Sequence, residues 1–160
     1  MKKLQITASY LLFDNMDELS VEDRSLMEAA IKARKKAYAP YSHFNVGAAV
    51  LLDNNKVITG SNQENAAYPS GMCAERVAVF SAGATYPSAT ILKIAISANS
   101  TLREVQQPVA PCGACRQTIA EYEFKQDSPI EMLFMGESGE VIKVQSLKSL
   151  LPLGFDKSFL

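Results

Sequence analysis

The sequence predicts a three-layer α/β/α fold in which helices cover both faces of a mixed sheet of about five strands. Helical periodicity and strand-like apolar runs alternate along the chain, in the order helix, strand, strand, helix, strand, helix, strand, strand, helix. Two of the helices separate successive strands, as crossover connections between parallel strands do. A short polar turn instead joins the first two strands, which predicts an antiparallel hairpin.

The first half of the chain supplies a helix and this hairpin. Ser20 is a favourable N-cap, and the helical spacing of apolar residues that follows it lasts until Pro40. The run FNVGAAVLL at 44–52 is nearly all apolar and predicts a central strand, with residues 56–60 as its hairpin partner.

The second half alternates two crossover helices with the remaining strands. The first helix, 72–82, is closed by Gly83, and the second, 112–122, begins after Pro111. Since both should begin beyond strand ends, their N-termini are expected to meet at one edge of the sheet. Three further strands are predicted at 91–96, 130–135 and 140–144. A short final helix is predicted at 146–152, capped by Ser146 and stopped by Pro152.

The N-terminal residues differ in character from the rest. Residues 4–12 alternate between apolar and polar, which predicts a short strand or an arm. We therefore expect residues 1–16 to be an N-terminal extension and residues 17–160 to form one domain. Polar residues interrupt the apolar positions after Lys2 and Lys3, so we predict a cytoplasmic protein without a targeting segment.

Composition excludes several classes of protein. The 160 residues are 48% apolar with no repeat or low-complexity tract, which argues against disordered and fibrous chains. The formal net charge of −1 argues against a surface that binds nucleic acid. There is also no apolar run long enough to span a membrane.

The three cysteines carry the strongest chemical signal. Cys73, Cys112 and Cys115 lie at predicted helix N-termini, where free N–H groups and the helix dipole favour thiolates. Cys112 and Cys115 are three residues apart, so the first turn of a helix points both sulfurs the same way. Three soft ligands fit a tetrahedral zinc ion with one position open to water.

Glu75 lies two residues beyond Cys73, close enough to reach the water on such a metal without occupying the metal itself. A carboxylate there can accept a proton from the water and pass it to a substrate, as hydrolytic deamination requires. Two other interpretations stay open: a redox pair formed by Cys112 and Cys115, and a closed structural site in which His43, the single histidine, is the fourth ligand. If His43 were a ligand, its substitution would strip the metal.

These motifs together resemble the cytidine deaminases, and specifically their short, all-cysteine, homotetrameric class. The resemblance runs from about Tyr38 to Phe155 and is carried by four segments: PYSHFNVGAAV at 40–50, GSNQENAAYPSGM at 60–72, CAER at 73–76 and PCGACRQ at 111–117. It implies a cytidine deaminase-like fold and one zinc ion per chain. It also implies hydrolysis of free cytidine and 2′-deoxycytidine to uridine and 2′-deoxyuridine, with release of ammonia, in pyrimidine salvage.

The resemblance also implies a role for each residue of the site. The three cysteines would bind zinc, Glu75 would protonate N3 of cytosine and then the leaving amine, and Arg76 would donate to the thiolates. Asn62 and Glu64 would bind the ribose hydroxyls, and Phe44 would pack on the nucleoside, although burial in the core is an alternative for Phe44. The expected substrate-binding set is Phe44, Asn62, Glu64, Asn65, Tyr68, Ala74 and Phe155.

The resemblance further implies a homotetramer with shared sites, since family members insert an aromatic residue into a neighbouring subunit's site. Phe155 matches that residue, and Phe159 is the alternative. Three other functions remain: deamination of a blasticidin S-type antibiotic, a structural zinc module and editing of RNA or DNA. The pair Asn62 and Glu64, suited to a sugar diol, favours free nucleosides.

Overall fold

The computed structural model describes residues 1–160 and has a six-stranded mixed sheet between two helical layers. The predicted α/β fold class is confirmed, with one strand more than the expected five or so because β1 joins the sheet edge beside β6. The elements are β1 Leu11–Phe13, α1 Val21–Arg34, β2 Phe44–Leu52, β3 Val57–Ser61, α2 Ala74–Thr85, β4 Ile91–Ser100, α3 Gly113–Gln126, β5 Glu131–Met135 and β6 Val141–Val144. None of the helices has the length and apolar character that crossing a membrane would need.

The strand order is β1-β6-β5-β4-β2-β3, and only β4 and β5 pair in parallel. The prediction that strands joined by a crossover helix pair in parallel therefore holds across α3. It is wrong across α2, because β2 lies between β3 and β4 and pairs with both in antiparallel fashion. This arrangement makes β2 a central strand, as its apolar run predicted.

The two faces of the sheet have separate cores. Alternate residues of β2 point to opposite faces, so Ala48 and Val50 pack against α2 and α3, whereas Ala49 packs against α1. Gly47 lies directly beneath α1, where an added Cβ would come within 2.1 Å of the Ala30 carbonyl oxygen. A strand buried on both faces cannot alternate between apolar and polar residues, which explains the apolar run.

Helix boundaries differ from prediction where tertiary contacts decide them. Helix α1 begins after Ser20, whose hydroxyl accepts a hydrogen bond from Asp23 N at 3.1 Å, but it ends before Pro40 at Arg34. The chain leaves the helix early because Tyr38 bonds to the segment after β3: its N–H donates to Asn62 O, and its carbonyl accepts from Glu64 N.

The two crossover helices begin later than predicted and extend further. Helix α2 begins at Ala74 and α3 at Gly113, each after an N-cap cysteine. Gly83 does not close α2, which continues to Thr85; instead Gly83 allows close packing, since an added Cβ would lie 2.5 Å from the Tyr122 hydroxyl. The helix predicted at 146–152 is a short 3-10 turn, Leu147–Ser149, capped by Ser146 as predicted, and a further 3-10 turn follows at Lys157–Phe159.

Two buried carboxylates connect helices to the rest of the fold. Asp23 at the start of α1 bonds to the ammonium groups of Lys93 on β4 and Lys143 on β6, at 2.7 and 2.8 Å. Glu123 on α3 accepts hydrogen bonds from Ile130 N at 2.8 Å, Leu147 N at 3.0 Å and the Ser146 hydroxyl at 2.6 Å.

Candidate metal centre and active site

The three cysteines meet where α2 and α3 begin. Cys73 and Cys112 are the N-cap residues of the two helices, and Cys115 lies in the first turn of α3. The Cys73 and Cys112 sulfurs are 3.9 Å apart, and those of Cys112 and Cys115 are 3.5 Å apart. The fold thus brings together two sequence segments that lie 39 residues apart.

Close packing of α2 on the hairpin fixes one side of this cluster. At Gly60 in β3, an added Cβ would lie 2.5 Å from Ala74 O and 2.6 Å from Ala78 N. The first turn of α2 therefore rests on the backbone of β3, which no larger residue would permit. Since Cys73 directly precedes this turn, Gly60 helps to set the position of its sulfur.

The cluster fits a zinc ion. With Zn–S bonds of about 2.3 Å, tetrahedral geometry places two sulfurs about 3.8 Å apart. The observed separations of 3.5 and 3.9 Å bracket that value, and all three sulfurs lie within 4.8 Å of one another. Neither a carboxylate nor His43 belongs to the group, so the closed site with a histidine as fourth ligand lacks that ligand.

Electrostatics around the cysteines favour a thiolate at Cys73. A hydrogen bond from the Cys115 thiol, together with the Arg76 guanidinium, lowers the pKa of Cys73 to about 5 even though burial opposes ionisation. The Arg76 nitrogen donates to the Cys73 sulfur at 3.5 Å. The pKa of the Cys115 thiol is raised, because it donates to Cys73 and is buried. Arg76 therefore lies where it can offset negative charge on the sulfurs.

Glu75 is almost fully buried, with 5% of its surface exposed, in the first turn of α2. Burial raises the pKa of its carboxyl group, and the neighbouring Cys73 sulfur adds to the shift. A carboxyl group with a raised pKa can exchange a proton near neutral pH, which suits general acid–base chemistry.

A cavity of about 460 Å³ opens beside Cys73 and Arg76. Four of the seven predicted substrate-binding residues line it: Asn62, Glu64, Asn65 and Tyr68. The lining also includes Tyr41 and Ser42, which the sequence analysis did not select. The sequence could have identified both residues by their position in the PYSHF segment directly before β2, because loops at strand ends commonly form ligand sites.

The other three predicted residues lie outside this lining. Ala74 is fully buried at the first position of α2, and Phe44 is half-buried at the start of β2. Phe155 is 57% exposed and stacks on Phe159, with ring centroids 5.6 Å apart. Gln117 on α3 donates to the Phe155 carbonyl at 2.9 Å, which attaches this part of the C-terminal segment to α3.

Asn62 and Glu64 both bond to protein groups as well as lining the cavity. The Asn62 amide accepts from Val46 N at 2.8 Å and donates to Phe44 O at 2.9 Å. The Glu64 carboxylate accepts from Tyr41 N, Ser42 N and the Ser42 hydroxyl. That hydroxyl and the two N–H groups hold the pKa of Glu64 below its usual value. An ionised acceptor therefore lies at the cavity wall.

The sequence is similar to known zinc-binding deaminases. Residues 20–127 match the family model described as the cytidine and deoxycytidylate deaminase zinc-binding region. A cytidine deaminase from Halalkalibacterium halodurans is 45% identical over 101 residues, which are 63% of this chain and 72% of the relative. One from Mycobacterium tuberculosis is 33% identical over 111 residues, which are 68% of this chain and 79% of the relative.

The fold is similar to solved structures of cytidine deaminases as well. The crystal structure of cytidine deaminase from Burkholderia pseudomallei superposes with a TM-score of 0.72 at 40% identity, covering 86% of this chain and 100% of that one. The crystal structure of the enzyme from Mycobacterium tuberculosis superposes with a TM-score of 0.66 at 30% identity, covering 86% of this chain and 99% of that one.

Proposed function

Because the chain belongs to the cytidine and deoxycytidylate deaminase family, we propose that it hydrolyses free cytidine and 2′-deoxycytidine to uridine and 2′-deoxyuridine, releasing ammonia. The enzyme is zinc-dependent, and its reaction serves pyrimidine salvage. The observation that carries the proposal is the convergence of three cysteine sulfurs beside a buried glutamate and an open cavity.

Cys73, Cys112 and Cys115 would hold one zinc ion per chain. When bound, the zinc supplies Lewis-acid activation of a water molecule for attack on C4 of cytosine. Three thiolates on a divalent ion leave a net charge near −1, which weakens that activation. The Arg76 guanidinium, donating to the Cys73 sulfur, offsets part of this charge.

Glu75 moves the protons. Its carboxylate would accept one proton from the attacking water and deliver it to N3, and would then carry the second water proton, from the hydroxyl added at C4, to the leaving amine as the C4–N bond breaks. One water is consumed and one ammonia released, so Glu75 ends in its starting state. Burial suits the residue to this role, because it raises the carboxyl pKa toward the pH at which the enzyme works.

The cavity would bind the nucleoside. Asn62 and Glu64 contact the sugar hydroxyls, with Asn65 and Tyr68 on the same wall. Phe44 packs on the nucleoside, and the backbone of Ala74, in the first turn of α2, also contacts it. A site whose polar groups are matched to a diol rejects ligands that leave those groups unpaired.

We also infer the domain bounds, the assembly and the cellular location of the enzyme. Residues 17–160 form the deaminase domain, with residues 1–16 as an extension that supplies β1. The enzyme is a cytoplasmic homotetramer in which Phe155 or Phe159 of one subunit completes a neighbour's site. Both rings are exposed, which supports a role outside their own subunit.

The test is ultraviolet monitoring of cytidine conversion by purified protein, with and without a zinc chelator, and with blasticidin S as a second substrate. We expect conversion of cytidine that the chelator abolishes. Glu75→Gln should retain one zinc per chain by metal analysis, yet lose about 10²- to 10⁴-fold in turnover. Glu121→Gln, at an exposed position on α3, is the matched control. Wild-type turnover in Glu75→Gln, or activity on blasticidin S alone, would contradict the proposal.

A further inference from the structure

The hydroxyl group of Ser42 lies between the start of β2 and the carboxylate of Glu64. Its oxygen accepts a hydrogen bond from Phe44 N at 3.1 Å, and its proton is donated to Oε1 of Glu64. The other carboxylate oxygen, Oε2, accepts from Tyr41 N at 2.9 Å and Ser42 N at 3.2 Å. Oε1 of Glu64 is thus held by the serine hydroxyl alone, whereas Oε2 is held by the backbone.

The backbone on both sides of this contact is fixed. His43 has a left-handed φ of 56°, and its N–H and carbonyl bond to Ala39 O at 3.1 Å and Thr101 N at 3.0 Å. On the other side, Glu64 N donates to Tyr38 O at 2.8 Å. The Ser42 hydroxyl and the two N–H groups on Oε2 together set how the Glu64 carboxylate is rotated about its last side-chain bond, and the hydroxyl is the one protein group that holds Oε1.

The rotation of the carboxylate decides where its free lone pairs point. Each carboxylate oxygen has two acceptor directions, so Oε1 keeps one after binding the serine proton. Both Ser42 and Glu64 line the cavity beside Cys73, so the remaining acceptor capacity of Oε1 lies at the wall of the proposed nucleoside site. Without the serine proton, Oε1 has no protein partner, and the carboxylate is held only by the two N–H groups on Oε2.

We propose that Ser42 is a positioning residue that fixes the Glu64 carboxylate and thereby determines how the site selects among sugar hydroxyls. The proposal rests on the proposed function, in which Glu64 binds the ribose. It adds a residue that does not itself need to touch the nucleoside. A hydroxyl that holds an acceptor in place affects substrate binding more than the chemical step at the metal.

The test compares Ser42→Ala, Ser42→Thr and the control Ser100→Ala. Ser100 makes the same type of turn, accepting from Leu102 N at 3.1 Å, but bonds to no carboxylate. We expect Ser42→Ala to raise KM for cytidine about tenfold, the size of one lost hydrogen bond, with kcat changed less than about threefold. Ser42→Thr keeps the hydroxyl and should restore KM, and Ser100→Ala should leave KM unchanged.

Two further measurements separate positioning from a general structural effect. In a Glu64→Gln background, Ser42→Ala should have little additional effect, because the carboxylate it positions is gone. Across cytidine, 2′-deoxycytidine and 3′-deoxycytidine, the Ser42→Ala penalty should disappear for the analogue that lacks the hydroxyl bound by Glu64. Thermal denaturation of each variant checks that folding is unchanged.

The outcomes are distinguishable from those that test the function itself. If the wild type deaminates cytidine but Ser42→Ala has no effect, or has the same effect with and without the Glu64 carboxylate, the role of Ser42 is refuted and the function stands. An equal penalty on all three nucleosides refutes it as well. If the wild type does not deaminate cytidine, both proposals fail.

Discussion

Glu123→Ala should destabilise the protein strongly, because this carboxylate is the acceptor for groups that have no other partner. It accepts from Ile130 N and Leu147 N, and both of these residues are buried. Leaving a buried donor unsatisfied costs about 1–3 kcal/mol, so the two N–H groups predict a loss of about 2–6 kcal/mol in the free energy of unfolding. At about 2–4 °C per kcal/mol for a chain of this size, the melting temperature should fall by about 4–24 °C.

The geometry also predicts that Glu123→Gln is mild. Both backbone N–H groups bond to the same oxygen, Oε2, and the Ser146 hydroxyl bonds to the other. A glutamine that places its carbonyl oxygen at the Oε2 position keeps both backbone bonds, and its amide can donate to Ser146. We therefore expect a loss of only about 1 kcal/mol, the difference between a charged and a neutral acceptor.

The assay is chemical and thermal denaturation followed by circular dichroism, with Glu121→Ala as the control. Glu121 is exposed on the same helix, so its substitution repeats the change in side chain without removing a buried acceptor. If Glu123→Ala and Glu121→Ala were equally stable, the hydrogen bonds of Glu123 would have no energetic weight. If Glu123→Gln were as unstable as Glu123→Ala, charge rather than acceptor geometry would be responsible.

Two other predictions concern stability. Burial opposes ionisation of Asp23, but hydrogen bonds from Lys143 and Lys93 outweigh it and lower the pKa below 3.8. The ion pairs therefore stabilise the fold fully above that pH, and their contribution is lost as the pH falls through the folded-state pKa. Asp23→Asn should lower the free energy of unfolding by about 3 kcal/mol at pH 7, and by progressively less below pH 4. Urea denaturation at a series of pH values measures this loss, with Asp53→Asn at an exposed position as the control. Gly47→Ala should unfold or displace α1, because its Cβ would lie 2.1 Å from Ala30 O, whereas Gly113→Ala has nothing within 4 Å and should be tolerated in the same thermal denaturation assay.

Much of this fold could be predicted from local pattern. The apolar run at 44–52 coincides with β2, and the Ser20 and Ser146 caps are formed as predicted. The cysteine spacing also predicted the cluster, because the start of a helix determines both the position and the direction of the cysteine side chains there. Helical periodicity and capping are local properties, and they survive in the folded chain when no tertiary contact opposes them.

The parts that could not be predicted depend on residues distant in the sequence. Insertion of β2 between β3 and β4 is a choice of strand partners, which the pattern within each strand does not specify. Helix α2 continues beyond Gly83, which instead allows the close approach of Tyr122 from α3, a contact that the local sequence does not reveal. In the same way, Ser42 is an ordinary turn residue in the sequence, and only the fold places its hydroxyl on the carboxylate of Glu64.

Arg116 makes the metal-binding turn and the C-terminal segment dependent on each other. Its Nε donates to Pro111 O at 2.8 Å, directly before Cys112, and another of its nitrogens donates to Leu150 O at 2.9 Å. Substitution of Arg116 should therefore loosen both the turn before Cys112 and the C-terminal segment, which Gln117 also holds through the Phe155 carbonyl.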